Sequence, residues 1–206
     1  MLETIKIDGD LQDVLNDIYK DITSKKLKGL DNPNQSVTDE VVQQQTGVEY
    51  LRENLHRPVQ HDRGVLAGDL SVYNIAQTTW TSDDPTTYDP HNASYTRRLV
   101  KQVVKIAGRG TIVPTAQHLL KAPRCVMGWH TNITGPGKRV YMVHADESNK
   151  SYFKYFCSKT QEPVKCDDKK GWQVRMFDIN EEDPLWHCVY SECNRISLGF
   201  RIIYNL

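Results

Sequence analysis

The chain has 206 residues, 38% of them hydrophobic and 25% charged, a balance that supports a buried core and excludes a disordered tail. Its 26 basic and 26 acidic residues cancel, and with no long run of one sign the charge gives no clear nucleic-acid or lipid-headgroup signal. The start, MLETIKIDGD, carries acids, and no later segment approaches a membrane-spanning apolar length, so the expectation is a soluble, cytoplasmic protein without a secretion signal.

The first element expected is a helix in DLQDVLNDIYKDIT, where Leu11, Val14, Leu15, Ile18, Tyr19 and Ile22 recur at helical spacing. LKGLDNPNQSVTDE reads as a surface stretch, and EVVQQQTGVEYLRENLHRP as short helical pieces ending before Pro58. After the polar loop TSDDPTTYDPHNAS, a second packing helix is expected in YTRRLVKQVVKIAGRG, with Leu99, Val100, Val103, Val104 and Ala107 in a stripe and a glycine stop at Gly108.

From Gly110 the texture changes to short segments rich in β-branched and aromatic residues: TIVPTAQHLL, RCVMGWH, RVYMVHA, SYFKYF, EPVKC, GWQVRMFDI, LWHCVY and RISLGFRIIY. These predict a closed or sandwiched β structure covered on one side by the earlier helices. The expected organisation is a single domain over 1–206, with a helical and loop support region over 1–110 and a β core over 111–206. In the last segment Ile196, Leu198, Phe200 and Ile202 alternate with Arg195, Ser197, Gly199 and Arg201. That polar face points either to water or into a ligand cavity.

Five cysteines (Cys125, Cys157, Cys166, Cys188, Cys193) form an odd set without a Cys-x-x-Cys pair, a poor disulfide or structural-zinc framework that fits a reducing compartment. No P-loop, Rossmann glycine fingerprint, Gly-x-Ser-x-Gly elbow or His-Glu-x-x-His helix is present, which removes the best support for nucleotide, hydrolase and zinc-protease readings.

A Trp-His pair occurs twice, as Trp129-His130 and Trp186-His187. Strand neighbours face opposite ways, so indole and imidazole cannot share a side. If the histidines face a cavity, the indoles anchor the strands in the surrounding core and hold each imidazole where a metal needs it. The alternative is a pair of structural histidines, each hydrogen-bonded within a packed sheet. His144 shares a face with Val140 and Met142 and is expected outside the cavity. The facing of His118 is open, and His56, His61 and His91 read as surface residues.

HTNITGPGKRVYMV, GWQVRMFDI and LWHCVYSECNRISLGFRI together resemble the iron(II)- and 2-oxoglutarate-dependent oxygenases, most closely the aspartyl/asparaginyl β-hydroxylase-like branch. The resemblance covers about residues 115–204. It implies a double-stranded β-helix (jelly roll, cupin-like) with N-terminal helices packed on one sheet. It also implies that His130 and His187 ligate Fe(II), and that Arg195 with Ser197, in an R-x-S arrangement, holds the distal carboxylate of 2-oxoglutarate, with Arg201 as substitute. Arg139 resembles a second arginine near the cosubstrate, the alternative being a solvated strand end beside Gly137 and Lys138, and Tyr141 stands where that branch has a histidine.

Asn132 departs from the wider family, which carries Asp or Glu there. The amide binds the metal through oxygen, holds a water, or leaves a position for an external anion; the bound water is the expectation. The implied function is a hydroxylase taking 2-oxoglutarate, O2 and an organic substrate, either a protein or peptide side chain or a small amino-acid-like molecule. Polar loops around residues 30–95 are candidate substrate walls. The alternatives are a cupin-like metal-binding isomerase or sugar-binding module, and a noncatalytic barrel.

Overall fold

A computed structural model describes residues 2–24, 29–30, 36–57, 64–72, 80–81 and 93–204. The first helix, α1 (Gly9–Ser24), starts where Asp8 Oδ1 accepts from Leu11 N at 3.0 Å, meeting one of the donors that a helix start leaves without a partner. Leu11, Val14, Leu15, Ile18 and Ile22 are buried, at the spacing of one helical face. The later helix, α4 (Ala93–Ala107), buries Leu99, Val100 and Val103 against it. Gly108 ends α4 at φ +88 while its N–H returns to the Val104 carbonyl at 2.8 Å, a left-handed cap that suits glycine. Between them, α2 (Asp39–Thr46) and α3 (Val48–Asn54) are the short pieces expected there.

The rest is antiparallel sheet. The strands are β1 (Glu3–Ile5), β2 (Gly29–Leu30), β3 (Leu66–Val72), β4 (Trp80–Thr81), β5 (Thr111–His130), β6 (Gly137–Ala145), β7 (Ser151–Cys157), β8 (Glu162–Asp167), β9 (Gly171–Ile179), β10 (His187–Ser191) and β11 (Arg195–Ile203). Their order is β1-β9-β6-β11-β5-β10-β7-β8, with β3 and β4 also paired to β5, and β2 to β3. The protein is thus mainly β, one curled antiparallel sheet with few helices. Among the described residues no helix is long and apolar enough to cross a membrane.

Two differences from the sequence reading matter. TIVPTAQHLL and RCVMGWH, expected as two strands, form the single strand β5, pairing with β11 over its first half and with β10 over its last. Pro123, which lies between those two segments, is exposed along this strand, and Pro114 falls at the register shift beside Gly199 and Phe200, a place where a strand tolerates a missing donor. The region before residue 110 is also more than helices and loops, because β1 to β4 join the sheet and β3 pairs along β5.

The two faces of the sheet are chemically distinct. Ile196, Leu198, Phe200 and Ile202 of β11 join Val140 and Met142 of β6 and Val174 of β9 under α1 and α4. On the other face a second core gathers Leu120 and Cys125 of β5, Phe153 of β7, Phe177 of β9 and Val189 of β10. This inner face carries the polar residues of β11. Gly199 lets it close up, since a Cβ there would come within 2.8 Å of both Ala116 Cβ and Tyr141 Cε1.

Candidate metal centre and anion pocket

The two Trp-His pairs lie on neighbouring strands, and His187 is the register partner of His130. From there the pairing moves to Val189 against Met127, so β5 uses one residue more than β10. That bulge lets Met127 and His130, an odd number of positions apart, both line one cavity. Trp129 and Trp186 turn the other way into a cluster with Leu51 and Cys188. The Trp129 indole donates to the Gly47 carbonyl at 3.0 Å, fixing the strand to the junction of α2 and α3.

His130 and His187 are 4% and 1% exposed, and their ring centroids are 4.1 Å apart. In each ring Nδ1 lies 2.8 Å from the carbonyl two residues earlier, Gly128 for His130 and Leu185 for His187. Donation to that carbonyl puts the proton on Nδ1 and the lone pair on Nε2, the arrangement found behind metal-binding imidazoles. Burial, then the neighbouring His130, holds His187 well below the ordinary histidine range, so this ring is neutral, as a ligand must be. Phe153 stacks on His187 at 5.4 Å between ring centroids.

Asn132 completes the group, its Nδ2 being 3.1 Å from His187 Nε2. Its φ of 52° is left-handed, a conformation asparagine adopts more readily than most residues. Among the described residues no three His, Cys, Asp or Glu side chains gather as a metal site. With Nδ1 protonated, His187 Nε2 accepts from the Asn132 Nδ2–H; a metal here would replace that hydrogen bond and meet two imidazoles, with the amide contributing only through Oδ1, donors that suit a divalent transition ion but lack a carboxylate.

The cavity measures about 430 Å³. Leu66, Met127 and Val189, paired in register, line it near the imidazoles; its polar end holds Arg195, Ser197, His118, Thr115 and Tyr141, with Leu120 and Leu70 beside Arg195 in the register. Leu66 and Leu70 come from β3, inside the stretch expected to wall a substrate; within that stretch 31–35, 58–63, 73–79 and 82–92 lie outside the described residues. Arg195 is 2% exposed; its Nε donates to Asp168 Oδ2 at 2.9 Å and its Nη1 to Ser197 Oγ at 2.6 Å. Asp168 also accepts from Ser151 Oγ at 2.6 Å and pairs with Arg175 at 2.8 Å. Burial works against its charge, but Arg195, Arg175 and Ser151 outweigh that and hold the carboxyl below its usual range.

Of the two arginines weighed for an anion, Arg195 lines the cavity and Arg201 does not. Arg139 is buried, donates to the Gly135 carbonyl and lies opposite Arg201 in the register, and its charge acts on His187 and Tyr141 of the cavity lining. Tyr141 does line the cavity and hydrogen-bonds with Thr115. His118 faces inward across from Ser197, and burial followed by the charge of Arg195 lowers its pKa. His144 packs on Tyr19 and Trp172 on the helix side, away from the cavity. His56 is exposed, while His61 and His91 lie outside the described residues.

Asp168, buried against Arg195 of the cavity lining, is the charged neighbour of the site that sequence reasoning missed. In KCDDKKGW it is one of two adjacent aspartates among lysines, a pattern shared with any wet turn. Only the fold separates it from Asp167, by burying it completely between two guanidinium groups.

No family model matches the chain, and no curated protein matches it. Among solved structures it is similar to the crystal structure of a bsmA homolog from Methylobium petroleophilum PM1, at 13% identity and a TM-score of 0.31, over 56% of this chain and 51% of that one. The chain thus spans about half the length of that protein.

Proposed function

We propose that the chain is an Fe(II)- and 2-oxoglutarate-dependent dioxygenase with a jelly-roll core, hydroxylating a protein or peptide side chain or a small amino-acid-like substrate. One observation carries this reading: two buried imidazoles, each tied through Nδ1 to a backbone carbonyl, share a cavity with a guanidinium fixed in one orientation. Structural histidines need no such common cavity.

His130 and His187 would hold the iron through Nε2, with Asn132 beside it. Iron and cosubstrate supply the oxygen activation and electron transfer that side chains lack. The chain's own residues bind, orient and exclude water. Arg195 takes a carboxylate through its planar N–H fork while Ser197 holds that fork in place. The apolar lining of Leu66, Met127 and Val189 keeps water from the imidazole end and suits an aliphatic C–H group.

Anaerobic titration with Fe(II) and 2-oxoglutarate tests the reading. It predicts a visible metal-to-ligand charge-transfer band and, after oxygen is admitted, succinate. Arg195→Ala should weaken 2-oxoglutarate at least tenfold more than it weakens the metal; equal losses would count against the anchoring role. A second reading, a cupin-like metal-binding protein without oxygenase chemistry, draws on the amide at residue 132 and predicts metal binding indifferent to 2-oxoglutarate.

A further inference from the structure

At the polar end of the cavity three charged side chains form one buried cluster: Arg195, Arg175 and Asp168 are 2%, 5% and 0% exposed. A guanidinium offers five N–H donors in a planar fork. In Arg195 the Nε–H goes to Asp168 Oδ2 at 2.9 Å and Nη1 donates to Ser197 Oγ at 2.6 Å. Held at both places the plane cannot turn, and Nη2 with the second hydrogen of Nη1 is left to meet a ligand in the cavity that Arg195 lines. The same Oδ2 also accepts from Ser151 at 2.6 Å, and the other oxygen, Oδ1, lies 2.8 Å from Arg175 in an ion pair.

Two guanidinium groups against one carboxylate leave one net positive charge. A ligand carboxylate brings one negative charge and matches it. A phosphonate brings nearly two and leaves an unmatched charge in a buried place, which costs binding.

We propose that Asp168 sets the ligand selectivity of this end of the cavity, orienting Arg195 and trimming its surroundings to one positive charge so that the site takes a carboxylate-ended chain in preference to a phosphonate-ended one. The proposal rests on the reading of Arg195 as an anchor for the cosubstrate. Asp168 acts through Arg195 and is a positioning residue.

The test uses the metal-free protein at pH 8 and calorimetric titration with two probes of equal length, glutarate and propane-1,3-diphosphonate. Wild type should bind glutarate at least tenfold more tightly. Asp168→Asn, which raises the net charge by one and loosens the guanidinium, should lower that preference at least tenfold, and Asp168→Glu should restore part of it. Arg175→Gln removes a positive charge and must move the ratio the other way, against the diphosphonate. It also keeps the idea testable if Asp168→Asn yields no folded protein.

A wild type without preference, or a ratio that ignores both Asp168→Asn and Arg175→Gln, overturns the proposal. A purely structural Asp168 would change stability and leave the ratio alone. None of these titrations involves iron or oxygen. Loss of the charge-transfer band with a ratio that still follows Asp168 sinks the oxygenase reading alone, and the converse result sinks this one alone.

Discussion

At the scale of single residues, the site depends on where protons and charges are held. The two imidazoles keep their Nδ1 protons on backbone carbonyls, and residue 132, hydrogen-bonded to His187, is a neutral amide. Asn132→Asp places an anion beside the imidazole edge, so ferrous binding should strengthen, by about tenfold if the gain is near 1.4 kcal/mol; a metal titration showing weaker binding would contradict the placement of Asn132. Asp168 sets a different expectation. Its carboxyl is held below the usual range, so its contribution to stability is fully present above the ordinary carboxylate pKa and is lost as pH falls through the lowered one. Asp168→Asn leaves buried guanidinium groups without their counter-charge and should cost about 3–5 kcal/mol at neutral pH. Denaturant unfolding as a function of pH should show the gap between wild type and variant narrowing in acid.

At the scale of elements, helix packing and site packing are separate. The stripe of α1 lies on the outer face of the sheet, and Leu15 is fully buried there. Leu15→Ala should therefore cost about 2–5 kcal/mol of stability while leaving metal affinity unchanged. Trp129 stands behind the strand that carries His130 and bonds the Gly47 carbonyl. Trp129→Ala should cost about 3–5 kcal/mol and also weaken metal binding, because the imidazole loses its anchor. Unfolding and metal titration on the same two variants separate the two outcomes. Both helices were legible in the sequence, since a stripe at helical spacing depends on nearest neighbours along the chain. The unity of β5 was not, because whether a strand passes through a proline depends on which partners lie along it.

At the scale of the whole molecule, the cavity joins residues from β3, β5, β6, β10 and β11, so a ligand bound there stabilises the folded state as a whole. Metal at about 100 times its Kd should add roughly 2.7 kcal/mol to unfolding, read as a rise in Tm, and the His130→Ala/His187→Ala double variant should show no rise. The β3 strand, whose Leu66 and Leu70 line the cavity, came without a sequence signal, because LAGDLSV carries the glycine and aspartate that strands disfavour.

What the sequence by itself determined was local. The faces of α1, α4 and β11 follow from periodicity, and the outward turn of each tryptophan against its histidine follows from alternation. The tertiary structure decided everything that needed two distant segments to meet. It set His130 beside His187 through a bulge, chose Arg195 over Arg201 for the cavity, turned His118 inward, and gave Asp168 its two arginine partners. The physical reason is that a residue's charge state and reach depend on burial and neighbours, and both are assigned only when the sheet curls.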